Sequence, residues 1–346
     1  MTVTVAPRRR VGWLLPVGAG RVATWQLAAL AVLTTGFRIT AVTVTVMAVA
    51  GMLVAVTSVR FGGLCGYQWA MVLARYVLRR RRPAPPTPVH ALEPRLRLHP
   101  HEDRAGNRTG VATIAGDHIA VVRLAPNAHP DPAVLVSLLH KAVDREDHPV
   151  SGARLVVLAV PASPYPVRMH WLALRYRAAA APWAALARGG GETGCHKAAA
   201  SAAQRLASDL AGAGCSASVL DAPELWQELL IALGVSPDLG VPRAVETWRH
   251  WSAGPTRQAS FTPRDPADAV RLLGRAVPAA TFTCTAYSIT RPIPNGPSHV
   301  TAAVRLGVAN QQFWLTPERV ATKLGVRLMP AHGRQAETAL ATLPLA

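Results

Sequence analysis

Eleven arginines and no acidic residue fall within residues 1–82, and among them lie two runs without any charge, 22–37 and 39–59. Twenty-one residues at about 1.5 Å of helical rise cover roughly 31 Å, close to the roughly 30 Å of a bilayer's hydrocarbon core. The first run covers roughly 24 Å by the same rise. Arg21 and Arg38 at its ends can reach outward to the headgroups and extend the tolerated span. The pattern predicts a two-helix transmembrane hairpin that turns at Gly36, Phe37 and Arg38. Arg8, Arg9 and Arg10 before Val11–Leu15 faintly resemble a twin-arginine signal. A second apolar run follows at once, however, and no small-residue cleavage site intervenes, which favours the hairpin over a cleaved leader.

Arginine placement predicts the orientation. Arg8, Arg9, Arg10 and Arg21 precede the first run, Arg38 alone sits between the runs, and Arg60, Arg75 and Arg79–Arg82 follow the second. Positive charge is retained on the cytoplasmic side, so both termini are expected there. Residues 60–82 read as a basic juxtamembrane segment lying against anionic lipid. The net charge of +18 is therefore no nucleic-acid signature: residues 83–346 carry 26 basic against 19 acidic side chains, and no recognition motif accompanies them.

Four of the six residues from Pro83 to Pro88 are proline, helical or strand periodicity is absent beyond them, and the stretch 83–100 reads as a linker. From 101 to 346 the signals alternate, which predicts a cytosolic mixed α/β domain. Val111 and Thr113 and then Ile119–Leu124 flank Gly116-Asp117-His118 as a β-hairpin, and Asp131-Pro132 opens a helix to about Val143. Strands are expected at 155–160, 168–176, 217–220, near 260, at 281–289 and at 299–306. Helices are expected at 193–210, 223–233, 267–276 and 317–324.

The chemistry-bearing motifs are weak. Arg188-Gly189-Gly190-Gly191-Glu192-Thr193-Gly194 precedes a helix, as an anion-binding loop would. Cys195 and His196 stand where a phosphate loop needs Lys and Ser or Thr, and Lys197 is displaced. The glycines therefore read as a structural turn. Cys195 and His196 are adjacent on a helix and diverge by about 100°, which is unsuited to a thiol–imidazole pair. His99, His101, Glu102 and Asp103 cluster at the linker's end, without a second ligand group at helical or hairpin spacing. Asp144, Glu146 and Asp147 read as a solvated helix end. The four cysteines show no Cys-x-x-Cys spacing. The expectation is no catalytic residue, no cofactor and no metal.

Three segments together resemble the EccE component of type VII (ESX) secretion systems. They are the N-terminal hairpin ending in Arg79–Arg82; Thr109-Gly110-Val111 to Gly116-Asp117-His118-Ile119-Ala120-Val121; and Arg168-Met169-His170-Trp171-Leu172-Ala173-Leu174-Arg175 followed by Arg188-Gly189-Gly190-Gly191 and Gln204-Arg205-Leu206-Ala207. The family tends to show R-x-T-W-x-x-L-R, and His170 stands here in the Thr position. The resemblance implies a non-enzymatic plasma-membrane subunit that assembles with EccB, EccC and EccD for protein export. It also implies a domain distantly like a glycosyltransferase, so the alternative is a membrane-anchored transferase at the cytoplasmic leaflet. No Asp-x-Asp motif is present to hold a sugar nucleotide.

Overall fold

The computed structural model describes all residues except 1–18, 35–39, 59, 62–63, 82–86, 127, 129, 146, 148, 236–242, 292–295, 312–314 and 346. The expected hairpin turn at Gly36–Arg38 lies outside the described residues, as do Arg8–Arg10 and Glu146. The chain divides into two compact units, Met1–Arg79 and Arg80–Ala346.

The first unit contains α1 (Ala19–Thr34), α2 (Ala41–Ser58), the short strands β1 (Arg60–Phe61) and β2 (Leu64–Cys65), and most of α3 (Gly66–Arg80). Helices α1 and α2 pack on each other, with Trp25 Nε1 near the start of one donating to Thr57 Oγ1 near the end of the other at 3.2 Å. Much of their apolar surface faces outward: Leu27 is 66% exposed, Val42 70% and Met52 69%. Both expected apolar runs thus form helices, but their expected role as membrane spans does not follow from their length. Among the described residues no helix is long and apolar enough to cross a membrane. The strand pair after α2 also separates it from α3, so residues 66–80 are a helix of their own.

The second unit is built on one antiparallel sheet. Its first elements are α4 (Pro88–Leu92), β3 (Arg97–Glu102), β4 (Arg108–Ile114), β5 (Asp117–Leu124), α5 (Pro132–Asp144), β6 (Gly152–Val160) and β7 (Val167–Arg177). Then follow α6 (Pro182–Leu186), α7 (Gly191–Gly212), β8 (Ala217–Val219), α8 (Ala222–Ala232), β9 (Ala244–Glu246), β10 (Trp251–Ala253) and β11 (Thr256–Pro263). The last are α9 (Ala267–Leu272), β12 (Phe282–Thr290), β13 (His299–Ala309), α10 (Pro317–Ala321), β14 (Leu328–Pro330) and α11 (Gln335–Leu340). The strand order is β3-β4-β5-β7-β6-β12-β13-β11-β10-β9, with β14 on β11 and β8 on β5. The mixed α/β expectation holds, and its sheet is a large antiparallel one.

Alternation along the strands divides the core between two faces. Val122, Leu155, Leu172 and Leu174 lie under α5 and α7, while Ala112, Ile119, Val156 and Trp171 lie under α8, α4 and α11. A smaller cluster of Phe261, Val304 and Leu306 is closed by Leu272 of α9 and Val320 of α10.

The expected linker 83–100 is corrected for its second half. Residues 88–102 supply α4 and the outer strand β3, and Val89 and Leu96 are buried. Thr87 caps α4 and Pro88 occupies its first turn, while Pro100 is tolerated because β3 is an edge strand. Short elements with half-exposed faces leave little periodicity to read.

Two arginines, Arg154 partly buried and Arg305 fully buried, tie the chain's last residues to the sheet. Arg154 donates to Ser288 Oγ at 2.8 Å, to the Leu343 carbonyl at 3.0 Å and to the Leu345 carbonyl. Burial, with Arg175 nearby, pushes its guanidinium down to about 9. Arg305 bonds Thr342 Oγ1 at 2.8 Å, Gln258 and the carbonyls of Ala232 and Leu233 at the end of α8, a helix end that favours a cation. Replacing Arg154 with Leu should strip the Leu345 carbonyl and Ser288 Oγ of this donor, leave the Leu343 carbonyl with only the Leu345 amide, and cost about 3 kcal/mol. Thermal unfolding of the purified chain checks this, and an unchanged transition would contradict it.

Candidate functional site

The sequence clusters around 99–103 and 188–197 meet in the fold, though not as either was read. Strand β3 carries His99 on the same sheet face as Val111 of β4 and, through that pairing, Ala120 of β5. His118 lies on this face too, opposite Thr113. Helix α7 crosses here, and its first two turns carry Glu192 and His196, which share one side because they are four residues apart.

One ligand atom from each of His99, Glu192 and His196 lies within 4.8 Å of the other two. Nε2 of His99 is 4.0 Å and Nε2 of His196 is 3.8 Å from the same oxygen, Glu192 Oε1. Both distances exceed a hydrogen bond. The two nitrogens are buried and have no hydrogen-bond partner among the described residues. The His99 and His196 rings lie 4.9 Å apart, and His118 meets His196 edge-on at 5.2 Å. Burial, with the neighbouring histidines, pushes the His196 imidazole below the usual histidine range. Burial also lowers His118, against the pull of Glu192 and Asp117. Both shifts favour the neutral form, which retains a lone pair.

The rest of the expected 99–103 cluster disperses. Glu102 faces Arg108 at 3.7 Å. Asp103 accepts from Asn107 Nδ2 at 2.8 Å and from Gln204 Nε2 at 3.0 Å, and these bonds hold its carboxyl down at about 2. His101 lines an open groove with Arg104, Arg188, Lys197 and Gln204. Cys195 points into the apolar core under α7, where burial raises its thiol, so its environment is the reverse of an activated nucleophile's. Asp144, read as part of a solvated helix end, pairs with Arg291.

Gly189, Gly190 and Gly191 all have positive φ, at 101°, 67° and 58°. The Gly189 and Gly190 amides donate to the Leu186 and Ala185 carbonyls at 3.1 and 2.9 Å. Those two N–H groups close the end of α6 and are not turned toward a phosphate.

Trp171 of the arginine–tryptophan motif is fully buried and donates from Nε1 to Glu228 Oε2 at 2.8 Å, and Glu228 also pairs with Arg123. Arg168 donates to the Gly274 carbonyl at 2.8 Å, and Arg175 faces Asp117 at 3.6 Å. Every polar contact of these three residues holds one element to another.

Residues 166–262 match the family model described as "Putative type VII ESX secretion system translocon, EccE". The resemblance read from the sequence is borne out over this segment. No curated protein matches the chain. The EccE segment runs from β7 through α8 to β11 and includes Trp171, the glycine turn, Glu192 and His196. His99 and His118 lie outside it. Over this segment the chain is similar to a type VII secretion component.

The sequence reading missed the meeting of His99 with the start of α7, because 93 residues separate His99 from Glu192. The available signal was Glu192-x-x-x-His196, which places a carboxylate and an imidazole on one helix face. The glycine turn that precedes this pair is testable. Valine at position 190 must adopt φ near 67°, so Gly190→Val should cost about 1–3 kcal/mol. Thermal unfolding without any added ligand checks it; normal folding coupled to a lost nucleotide affinity would contradict a purely structural turn.

Proposed function

We propose that this chain is a non-enzymatic structural subunit of a type VII secretion membrane complex, anchored by residues 1–82 and presenting its α/β domain at the cytoplasmic face. The match of residues 166–262 to EccE carries the reading. The outward-facing apolar side chains of α1 and α2 support anchoring, since apolar surface this extensive is normally covered by lipid or by other helices. The described helices, at 16 and 18 residues, cover roughly 24 and 27 Å. The charge-free runs reach a few residues beyond them, and short spans are accommodated by local thinning and arginine snorkelling. The arginine distribution then puts both termini in the cytoplasm, with the basic stretch near 79–82 on anionic lipid.

The expected partners are EccB, EccC and EccD. Two short helices with few polar features are poorly suited to conduct a substrate, so the role is contact within the complex. The transferase alternative gains nothing from the fold, because the Gly189 and Gly190 amides close α6.

The test is detergent extraction of native membranes followed by affinity purification of the full chain. EccB, EccC and EccD should co-purify, and a variant lacking residues 101–346 should retain none of them. Exchange of residues 1–82 for an unrelated two-helix anchor of the same orientation should preserve part of the assembly. Purification without these subunits, or full complex formation and secretion by residues 1–82 alone, would contradict the reading.

A further inference from the structure

We propose that His99, His196 and Glu192 bind a divalent transition-metal ion of the zinc class, which ties the edge strand β3 to the first two turns of α7. The inference concerns these side chains alone and does not depend on the secretion reading. Two imidazoles and a carboxylate are a donor set that zinc accepts, with a water completing the fourth position. The three donor atoms come from two separate elements and fall within 4.8 Å of one another. Two ligands at about 2.0–2.1 Å from one ion lie about 3.3 Å apart at the tetrahedral angle. The observed 3.8 and 4.0 Å separations from Glu192 Oε1 are longer than this by less than an ångström, within reach of small side-chain rotations. They are too long for the groups to serve one another as hydrogen-bond partners.

The second argument is what the nitrogens lack. Buried polar atoms are nearly always paired, yet Nε2 of His99 and Nε2 of His196 are both buried with no partner among the described residues. The same two atoms are the ones nearest Glu192 Oε1. An ion between them would account for both orphaned nitrogens and for three separate groups facing one point. Glu192 is 64% exposed, which gives the ion an entry path and leaves room for water. Packing supports the arrangement, since His118 is buried and meets the His196 ring edge-on.

The other histidine–carboxylate group offers a contrast. His250 Nε2 lies 3.4 Å from each Glu318 carboxylate oxygen, within hydrogen-bond distance, and among the described residues His250, Glu318 and His332 do not bring three donor atoms together as the first group does. His250 therefore supplies a control.

The test uses the full chain in detergent, stripped with a chelator and titrated with cobalt(II) and then zinc. One equivalent of cobalt should bind with the intense visible bands of a four-coordinate site, and zinc should displace it. His196→Ala and Glu192→Gln should each weaken zinc at least about 100-fold, since even outer-sphere changes cost 10–100-fold, while His250→Ala should bind as the parent does. Zinc should also raise the thermal transition of the parent chain by mass action and leave that of His99→Ala unmoved. Should a variant fail to fold, the parent alone decides: zinc should protect His99 and His196 from histidine-modifying diethyl pyrocarbonate, read by peptide mass spectrometry. No uptake of either ion, uptake that survives the double substitution of His99 and His196, or protection only at other histidines would overturn the proposal.

Discussion

The close approach between the first turn of α7 and the end of α6 is the constraint on which the rest of the domain depends. A methyl group at Gly194 would overlap the Ala185 carbonyl, so the corner forms only with a bare α-carbon there. With the corner closed, α7 runs across the sheet on a narrow face of Ala198, Ala199, Ala202 and Ala203, then Leu206 and Leu210. Small residues let the helix approach closely, and the larger ones fill the space further along. The first two turns are thereby held over the β3–β5 edge, where Glu192 and His196 meet His99. A second backbone approach works on the opposite side of the sheet: a methyl at Gly110 would meet the backbone of Asp221 and Ala222, so α8 begins directly against β4.

Polar contacts then lock what the glycines allow. Glu228 of α8 reaches through the second core to Trp171 on β7 and Arg123 on β5, which joins helix to sheet with a paired buried charge. Arg154 and Arg305 do the same for the chain's last residues by gathering carbonyls in place of a carboxylate. Guanidinium groups suit this task because five donors in a fixed plane can engage several acceptors at once. The β6–β12 ladder, paired from Gly152–Thr290 to Ala159–Thr283, makes one sheet of the N-terminal and C-terminal parts of the domain.

The strongly patterned elements were legible in the sequence. The 111–124 hairpin is there with Ala115 and Gly116 at positive φ in its turn, and Asp131-Pro132 caps α5 as expected. Asp221 and Glu224 form a capping box at the start of α8. What escaped were elements with little local signal: α4 and β3 within a proline-rich stretch, the three-residue strands β9, β10 and β14, and α11. These depend on tertiary pairing, and propensity over three to six residues is too weak to reveal them. The convergence of His99 with Glu192 and His196 was hidden for a different reason. A cluster drawn from two distant segments has no spacing rule, and attention to Cys195 beside His196 obscured the pairing of His196 with Glu192 four residues earlier.

The His99–Glu192–His196 cluster comes together only because α7 is seated where Gly194 permits. Zinc-edge X-ray absorption on the full chain loaded with one equivalent of zinc tests that convergence most directly. The predicted spectrum contains only nitrogen and oxygen neighbours at about 2.0–2.1 Å, with the outer-shell scattering of two imidazole rings. Sulfur at about 2.3 Å, or a hydrated ion without imidazole scattering, would contradict the account.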